Sequence, residues 1–110
     1  MNLCDLFYRT CQRYASDTAA ADESGTLTFG QYLAAARRLA TYVLLKTRRR
    51  HVGIMLPTCK EFVITFFGIL LAGKIPVPIN FLLKRGEIEF IISDAGMDTV
   101  ISARFFEETL

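Results

Sequence analysis

Few residues in this chain have the type and spacing that chemistry requires. His51 is the only histidine, and no second histidine, cysteine or acidic residue stands at a metal-ligand spacing from it. No serine lies in a G-x-S-x-G context, so a hydrolase triad is not predicted. The acidic pairs Asp22-Glu23 and Glu107-Glu108 are adjacent in sequence, which points their side chains apart on a helix or strand. We therefore predict no catalytic residue and no metal site in these 110 residues.

Phosphate-binding loops are also missing from the sequence. The seven glycines are scattered, and neither G-x-x-x-x-G-K-[ST] nor G-x-G-x-x-G occurs. In parallel α/β sheets, ligands lie beyond the carboxyl ends of the strands. The predicted ends are Pro57-Thr58, Asn80-Phe81 and Ser102. A capped helix and two loops explain these positions without a ligand, and the residues alone favour that structural interpretation.

The stretch from His51 to Asn80 carries two of these three ends and is typical of a βαβ unit. Thr58 and Glu61 stand three residues apart, so each side chain can accept a hydrogen bond from the other's backbone amide. This capping box predicts a helix that begins at Cys59. The helix is apolar on all sides and must be covered on both sides. The predicted elements are a strand over 52–56, a helix over 59–72 that ends at Gly73, and a strand over 75–79.

The flanking segments complete an alternating pattern. The N-terminal part predicts a helix capped by Asn2 that ends near Ala15, and a hairpin over 18–23 and 26–29. A second capping box, Thr28 and Gln31, begins an amphipathic helix. Its predicted apolar stripe is Leu33, Ala36, Ala40, Val43 and Leu44.

An apolar loop, Phe81-Leu82-Leu83, follows the second strand of the βαβ unit. A short helix then ends at Gly96, a strand covers 99–102, and a last helix covers 103–110. From Val52 onward the order is therefore β-α-β-α-β-α. This order predicts an α/β fold, namely part of a doubly wound, mostly parallel sheet flanked by helices, with a small N-terminal hairpin.

Composition limits the partners and the compartment. A net charge of +2 is too small to predict nucleic-acid binding. The basic run 46–51 is typical of a solvated loop, with a phosphate or acidic-membrane contact left open. Three cysteines without paired spacing indicate buried free thiols in a reducing compartment. The N-terminus lacks the pattern of a signal peptide. We expect a cytoplasmic protein, with peripheral contact to the inner face of the membrane as an open alternative.

Four segments together resemble the N-terminal part of the adenylate-forming, AMP-binding enzymes, which include the acyl-CoA and acyl-carrier-protein synthetases. The segment LTFGQYL at 27–33 resembles the family's entry to its first long helix, and VGIMLPTCKE at 52–61 resembles its strand and cap. FFGILLAGKIPVPIN at 66–80 is the best match. Asp94-Ala95-Gly96 with Val100-Ile101 resembles the last of the four family motifs, D-[SA]-G-A-x-x-[VI]-[IV]. The sequence PVPINFLL at 76–83 is most similar to the sequences of the family branch that acts on fatty acids.

The resemblance implies that residues 1–110 are a single incomplete domain, the N-terminal subdomain of an AMP-dependent synthetase or ligase. Such an enzyme uses ATP and Mg²⁺ to join a carboxylate, here a fatty acid, to AMP, and passes the acyl group to the thiol of CoA or an acyl carrier protein. The family's phosphate loop, nucleotide contacts and catalytic lysine come later in its sequence. This piece is therefore expected to be scaffold that binds no cofactor and has no catalytic residue. Thr58, Asn80 and Phe81 are expected to form a wall of the substrate pocket.

Two departures and one alternative accompany the resemblance. Arg49-Arg50-His51 stands where the family usually has Gly-Asp-Arg, and Phe81 stands where a proline often follows the asparagine. The alternative is a free-standing protein-interaction module that kept the fold without the chemistry. It would bind a partner through Phe81-Leu82-Leu83 and one side of the 59–72 helix. The expected partners are the rest of a synthetase chain and a second copy bound through that helix; nucleic acid is not expected.

Overall fold

The structure, a computed structural model, describes residues 2–22, 25–57, 59–80 and 82–109. Its elements are five helices and five strands in the described ranges. In chain order they are α1 (Leu3–Arg13), β1 (Thr18–Asp22), β2 (Gly25–Thr28), α2 (Phe29–Lys46), β3 (His51–Met55), α3 (Lys60–Leu71), β4 (Ile75–Pro78), α4 (Arg85–Asp94), β5 (Val100–Ser102) and α5 (Ala103–Thr109). Each predicted element is present, with ends that differ by one or two residues where they can be compared.

The main sheet has the order β4-β3-β5, and β3 runs parallel to both neighbours. The chain therefore moves from β3 to one side and then returns past β3 to β5. Because such connections are right-handed, this reversal places α3 and α4 on opposite faces of the sheet. The antiparallel pair β1-β2 forms the N-terminal hairpin. The predicted doubly wound α/β fold with a small hairpin is confirmed.

The two sheet faces are filled differently. Val52 and Ile54 of β3 are fully buried in a cluster that includes side chains of α2 and α3. Successive side chains of a strand point to opposite faces, so Gly53 faces the other way. A Cβ on Gly53 would lie 2.9 Å from Ile79 and 3.3 Å from the sulfur of Met97, which follows α4. Gly53 therefore permits close packing on the α4 face.

Helix α2 begins as the sequence predicts but turns a different stripe inward. The Thr28 amide donates to Gln31 Oε1 at 2.9 Å, and the Gln31 amide donates to Thr28 Oγ1 at 3.1 Å, which confirms the capping box. The prediction that Leu44 is buried is wrong, because its side chain is 58% exposed. Leu39, 0% exposed, lies one turn before Val43 and fills the core instead. Leu44 is rotated about 100° from Val43 around the helix axis and faces outward.

Helix α3 begins one residue later than predicted. Cys59 has extended backbone angles and is the N-cap, so the first helical residue is Lys60. Thr58, the predicted cap, lies outside the described residues. At the other end Gly73 has φ +76°, and the Lys74 amide donates to the carbonyl of Ile69 at 3.1 Å, which confirms the predicted glycine stop. The side chains of α3 are buried or half-buried among α1, α2 and strands of both sheets, as its apolar surface requires. Of the helices in the described ranges, none is long and apolar enough to span a bilayer.

Candidate functional site

The carboxyl ends of the three parallel strands meet at one edge of the main sheet. Ile54 is level with Pro78 of β4 and with Ile101 of β5. The Ile79 amide donates to the Ile54 carbonyl at 2.7 Å, so the chain leaves β4 beside the end of β3. The structure thus places the predicted positions Pro57, Asn80 and Ser102 along a single edge. This is the edge at which doubly wound sheets bind ligands.

Asn80 uses its side chain to shape the turn that follows β4. Its Oδ1 accepts a hydrogen bond from the Leu82 amide at 2.9 Å, and its carbonyl accepts one from the Leu83 amide at 3.1 Å. This is the local turn chemistry expected of asparagine. Asn80 is exposed at this edge. Its role in a pocket wall stays a prediction, as do those of Thr58 and Phe81, which lie outside the described residues.

Cys59 is the one thiol at this edge among the described residues, and its environment does not activate it. Burial raises the pKa of the Cys59 thiol, while hydrogen bonds from the backbone amides of Phe62 and Glu61 act in the opposite direction. Burial also raises the pKa values of Cys4 and Cys11. A thiol with a raised pKa is protonated at neutral pH and is a poor nucleophile. Within the described ranges, no group of three or more His, Cys, Asp or Glu residues could hold a metal ion.

The opposite, amino edge of the sheet is held by a polar cluster that the sequence did not reveal. Thr47 is 5% exposed and donates from Oγ1 to Asp98 Oδ1 at 2.5 Å. The Arg49 amide donates to Thr47 Oγ1 at 3.0 Å, and Thr99 Oγ1 donates to Asp98 Oδ1 at 3.0 Å. Arg49 Nε lies 4.0 Å from Asp98 Oδ2. These contacts join the α2–β3 loop to the α4–β5 loop.

The Thr47 hydroxyl lowers the pKa of Asp98, and the Thr99 hydroxyl and the Arg49 guanidinium add to that effect. The signal that could have located Asp98 is topological. It lies just before β5, as Thr47 lies just before β3, and neighbouring parallel strands begin at the same edge. Arg48, Arg49 and Arg50 are exposed, as the predicted solvated loop requires, but Thr47, which precedes them, is buried.

Comparison with known proteins identifies the family of this chain. Residues 7–109 match the family model described as AMP-binding enzyme. The chain belongs to the AMP-binding enzyme family. The resemblance seen in the four sequence segments is therefore confirmed.

Relatives of this chain include CoA ligases. It is 30% identical over 112 aligned residues to the long-chain-fatty-acid–CoA ligase of Escherichia coli, and the match covers 99% of this chain and 20% of the ligase. The crystal structure of the anthranilate CoA ligase AuaEII in complex with anthranoyl-AMP superposes with a TM-score of 0.84 and 31% identity, covering 97% of this chain and 21% of that one. The inhibitor-bound N-terminal domain of FACL13 from Mycobacterium tuberculosis gives a TM-score of 0.82 at 27% identity, covering 96% of this chain and 29% of that one. The chain thus spans about a fifth of the length of the curated ligase.

Proposed function

We propose that this chain is the N-terminal structural part of an ATP-dependent acid–thiol ligase whose acid is a fatty acid. The observation that carries the proposal is the 30% identity to a long-chain-fatty-acid–CoA ligase along 99% of the chain. The whole enzyme would join the carboxylate to AMP with release of pyrophosphate. It would then transfer the acyl group from the adenylate to the thiol of CoA or an acyl carrier protein. The family match supports this ligase over the free-standing interaction module.

The contribution of this chain would be to shape the site without doing chemistry. Attack of a carboxylate on the α-phosphorus of ATP builds negative charge that backbone amides, cations and a metal ion must stabilise. The described residues do not fit such a site by themselves, because the sequence has no glycine-rich phosphate loop and its basic run 46–51 lies at the amino edge. ATP and Mg²⁺ would be held by later parts of the enzyme. The carboxyl edge, with Asn80, would form one wall of the acid pocket, and Thr58 and Phe81 are the other residues that we propose for this wall.

The compartment that we propose is the cytoplasm. Cys4, Cys11 and Cys59 are all free, and Cys11 is buried. Free thiols of this kind are typical of a reducing environment. The proposed reaction also needs ATP and CoA as substrates, and we propose that it takes them from the cytoplasm.

The proposal is tested with the natural full-length protein and with residues 1–110 alone. The full-length protein should exchange labelled pyrophosphate into ATP when a long-chain fatty acid is present, and form an acyl thioester when CoA or a carrier protein is added. The 110-residue chain should do neither and should bind no ATP by titration calorimetry. Exchange that depends on another acid, such as benzoate, would correct the substrate class. If the full-length protein exchanges no pyrophosphate with any of the acids tested, the proposal is contradicted. Saturable ATP binding by the short chain would also contradict it.

A further inference from the structure

Helix α4 carries a large aromatic side chain on its outer surface. Ile88, Ile91 and Ile92 are half-buried along one side of the helix. Phe90 lies on the other side and is 68% exposed, and Leu82, three residues before the helix, is 81% exposed. Aromatic residues are enriched in protein–protein interfaces. The outer face of α4 therefore has an apolar centre that a partner could cover.

The charges at the two ends of α4 oppose the dipole of the helix. Lys84 and Arg85 stand at its amino end, where the backbone carries partial positive charge. Asp94 is its last residue, at the end with partial negative charge. Glu87 in the first turn has the favourable sign, but no basic residue occupies the last turn. This distribution of charge weakens a helix that stands alone.

A second copy of α4, packed antiparallel, turns the same charges to advantage. The amino end of each helix then lies beside the carboxyl end of the other, so Lys84 and Arg85 meet Asp94 and the terminal carbonyls of the second copy. A two-fold axis at Phe90 brings the two rings together and places Gly86 opposite Asp94. A Cβ on Gly86 would have nothing within 4 Å, so the surface is open there.

The mixture of charges on α4 favours a copy of the same helix over a partner of one charge sign. Two cations, Lys84 and Arg85, stand with three anions, Glu87, Glu89 and Asp94. Neither a strongly acidic nor a strongly basic partner would match this pattern. The same helix in the opposite direction matches it at both ends. Two-fold contacts of this kind, in which one patch meets itself, are the commonest in soluble oligomers.

We propose that α4 forms the centre of a two-fold contact between two copies of the protein, with Phe90 at the axis. Helix α4 starts after β4, at the carboxyl edge, and ends before β5, at the amino edge. Because the two helices are antiparallel, the carboxyl edges of the two copies point in opposite directions. Each carboxyl edge then lies beside the amino edge of the other copy. This inference does not depend on the ligase proposal or on the identity of the acid.

Sedimentation equilibrium of the natural full-length protein, without substrates, tests the contact. We expect a dimer. Phe90→Ser should raise the dissociation constant about a hundredfold, because burial of each of the two rings is worth roughly tenfold. Leu45→Ser is the matched control, since it removes an 85% exposed apolar side chain from α2 and not from α4. The control should keep the wild-type dissociation constant.

A charge exchange separates a contact between copies from a structural role of the same residues. Lys84→Glu and Asp94→Lys should each weaken the dimer about fivefold, because each places like charges together twice in the dimer. The double variant Lys84→Glu/Asp94→Lys should recover the wild-type dissociation constant. Each single variant also suits the helix dipole better than the wild type does. Each should therefore melt at or above the wild-type temperature when the protein is dilute and monomeric.

Three results would overturn the proposal. The first is a full-length protein that stays monomeric up to its solubility limit. The second is a dimer that Phe90→Ser leaves intact, because the contact would then lie elsewhere, for example on α3 at the other face of the sheet. The third is a complex with a different protein that Phe90→Ser dissolves, since the occupant of α4 would then not be a second copy.

Discussion

The closest approach of α2 and α3 depends on Gly68, and we predict that Gly68→Ala destabilises the fold. Gly68 lies within α3 and is buried against α2. A Cβ at this position would stand 2.7 Å from Leu39 Cδ2, 3.0 Å from Leu39 Cβ and 3.0 Å from the Ala36 carbonyl oxygen. Non-bonded carbon atoms are most favourable at about 3.5–4.0 Å. The new methyl group therefore overlaps atoms of α2.

The size of the effect follows from two opposing terms. Alanine is more favourable than glycine inside a helix by about 1 kcal/mol. Overpacking a well-filled core costs roughly 1–3 kcal/mol. Leu39 and Ala36 are both fully buried, and the Ala36 oxygen belongs to the backbone, so the overlap is relieved only if the two helices move apart. The steric term should therefore win, with a net loss of about 1–2 kcal/mol.

Thermal unfolding followed by far-UV circular dichroism measures this loss. In a domain of this size 1 kcal/mol lowers Tm by about 4–8 °C. Gly86→Ala is the matched control, because Gly86 is also in a helix but a Cβ there would have nothing within 4 Å. The control should melt at or slightly above the wild-type temperature. If Gly68→Ala melts as high as Gly86→Ala, the close packing of α2 on α3 is wrong.

Three further predictions concern the α2 cap, the amino-edge carboxylate and association. Thr28→Ala should lower the free energy of unfolding by about 1 kcal/mol because the capping box is lost; the exposed Thr41→Ala is its control, and equal shifts in chemical denaturation would contradict the cap. Because folding lowers the pKa of Asp98, its stabilisation is present above the unfolded value of 3.8 and is lost as pH falls through the lower folded value. Asp98→Asn should therefore flatten acid unfolding in that range, and an unchanged acid limb would refute this. The 110-residue chain should self-associate through the half-buried side chains of the apolar 59–72 helix, and a monomer at high concentration in sedimentation velocity would contradict that.

Local interactions explain why much of the fold could be predicted from the sequence. The Thr28–Gln31 capping box, the Asn2 cap and the Gly73 stop each involve residues within about five positions of one another. The Asp5 amide donates to Asn2 Oδ1 at 2.8 Å, as the predicted cap requires. Such contacts form whenever the segment becomes helical, so residue type and spacing are sufficient to predict them. The β-α-β alternation then predicts the class of the sheet.

The sequence predicted where the candidate site lies in the fold but not what it binds. Strand ends such as Asn80 follow from the alternation of elements, and the structure brings the described ones to one edge. The turn made by the Asn80 side chain is local, whereas the described residues of that edge do not by themselves identify a ligand. Four sequence segments were enough to indicate the family, because they occur in the family's order and spacing.

The sequence by itself determined the elements, the caps of α1 and α2, the α/β class and the family of this protein. Tertiary structure alone decided that Leu39 and not Leu44 enters the core. Which face of a helix is buried depends on the elements that pack against it. It also decided that Thr47 bonds to Asp98, a residue 51 positions away. Contacts of that separation form only after the parallel strands have aligned, and no local spacing in the chain encodes them. The same alignment places the α2–β3 loop with its arginines at the amino edge, opposite the edge at which Asn80 lies.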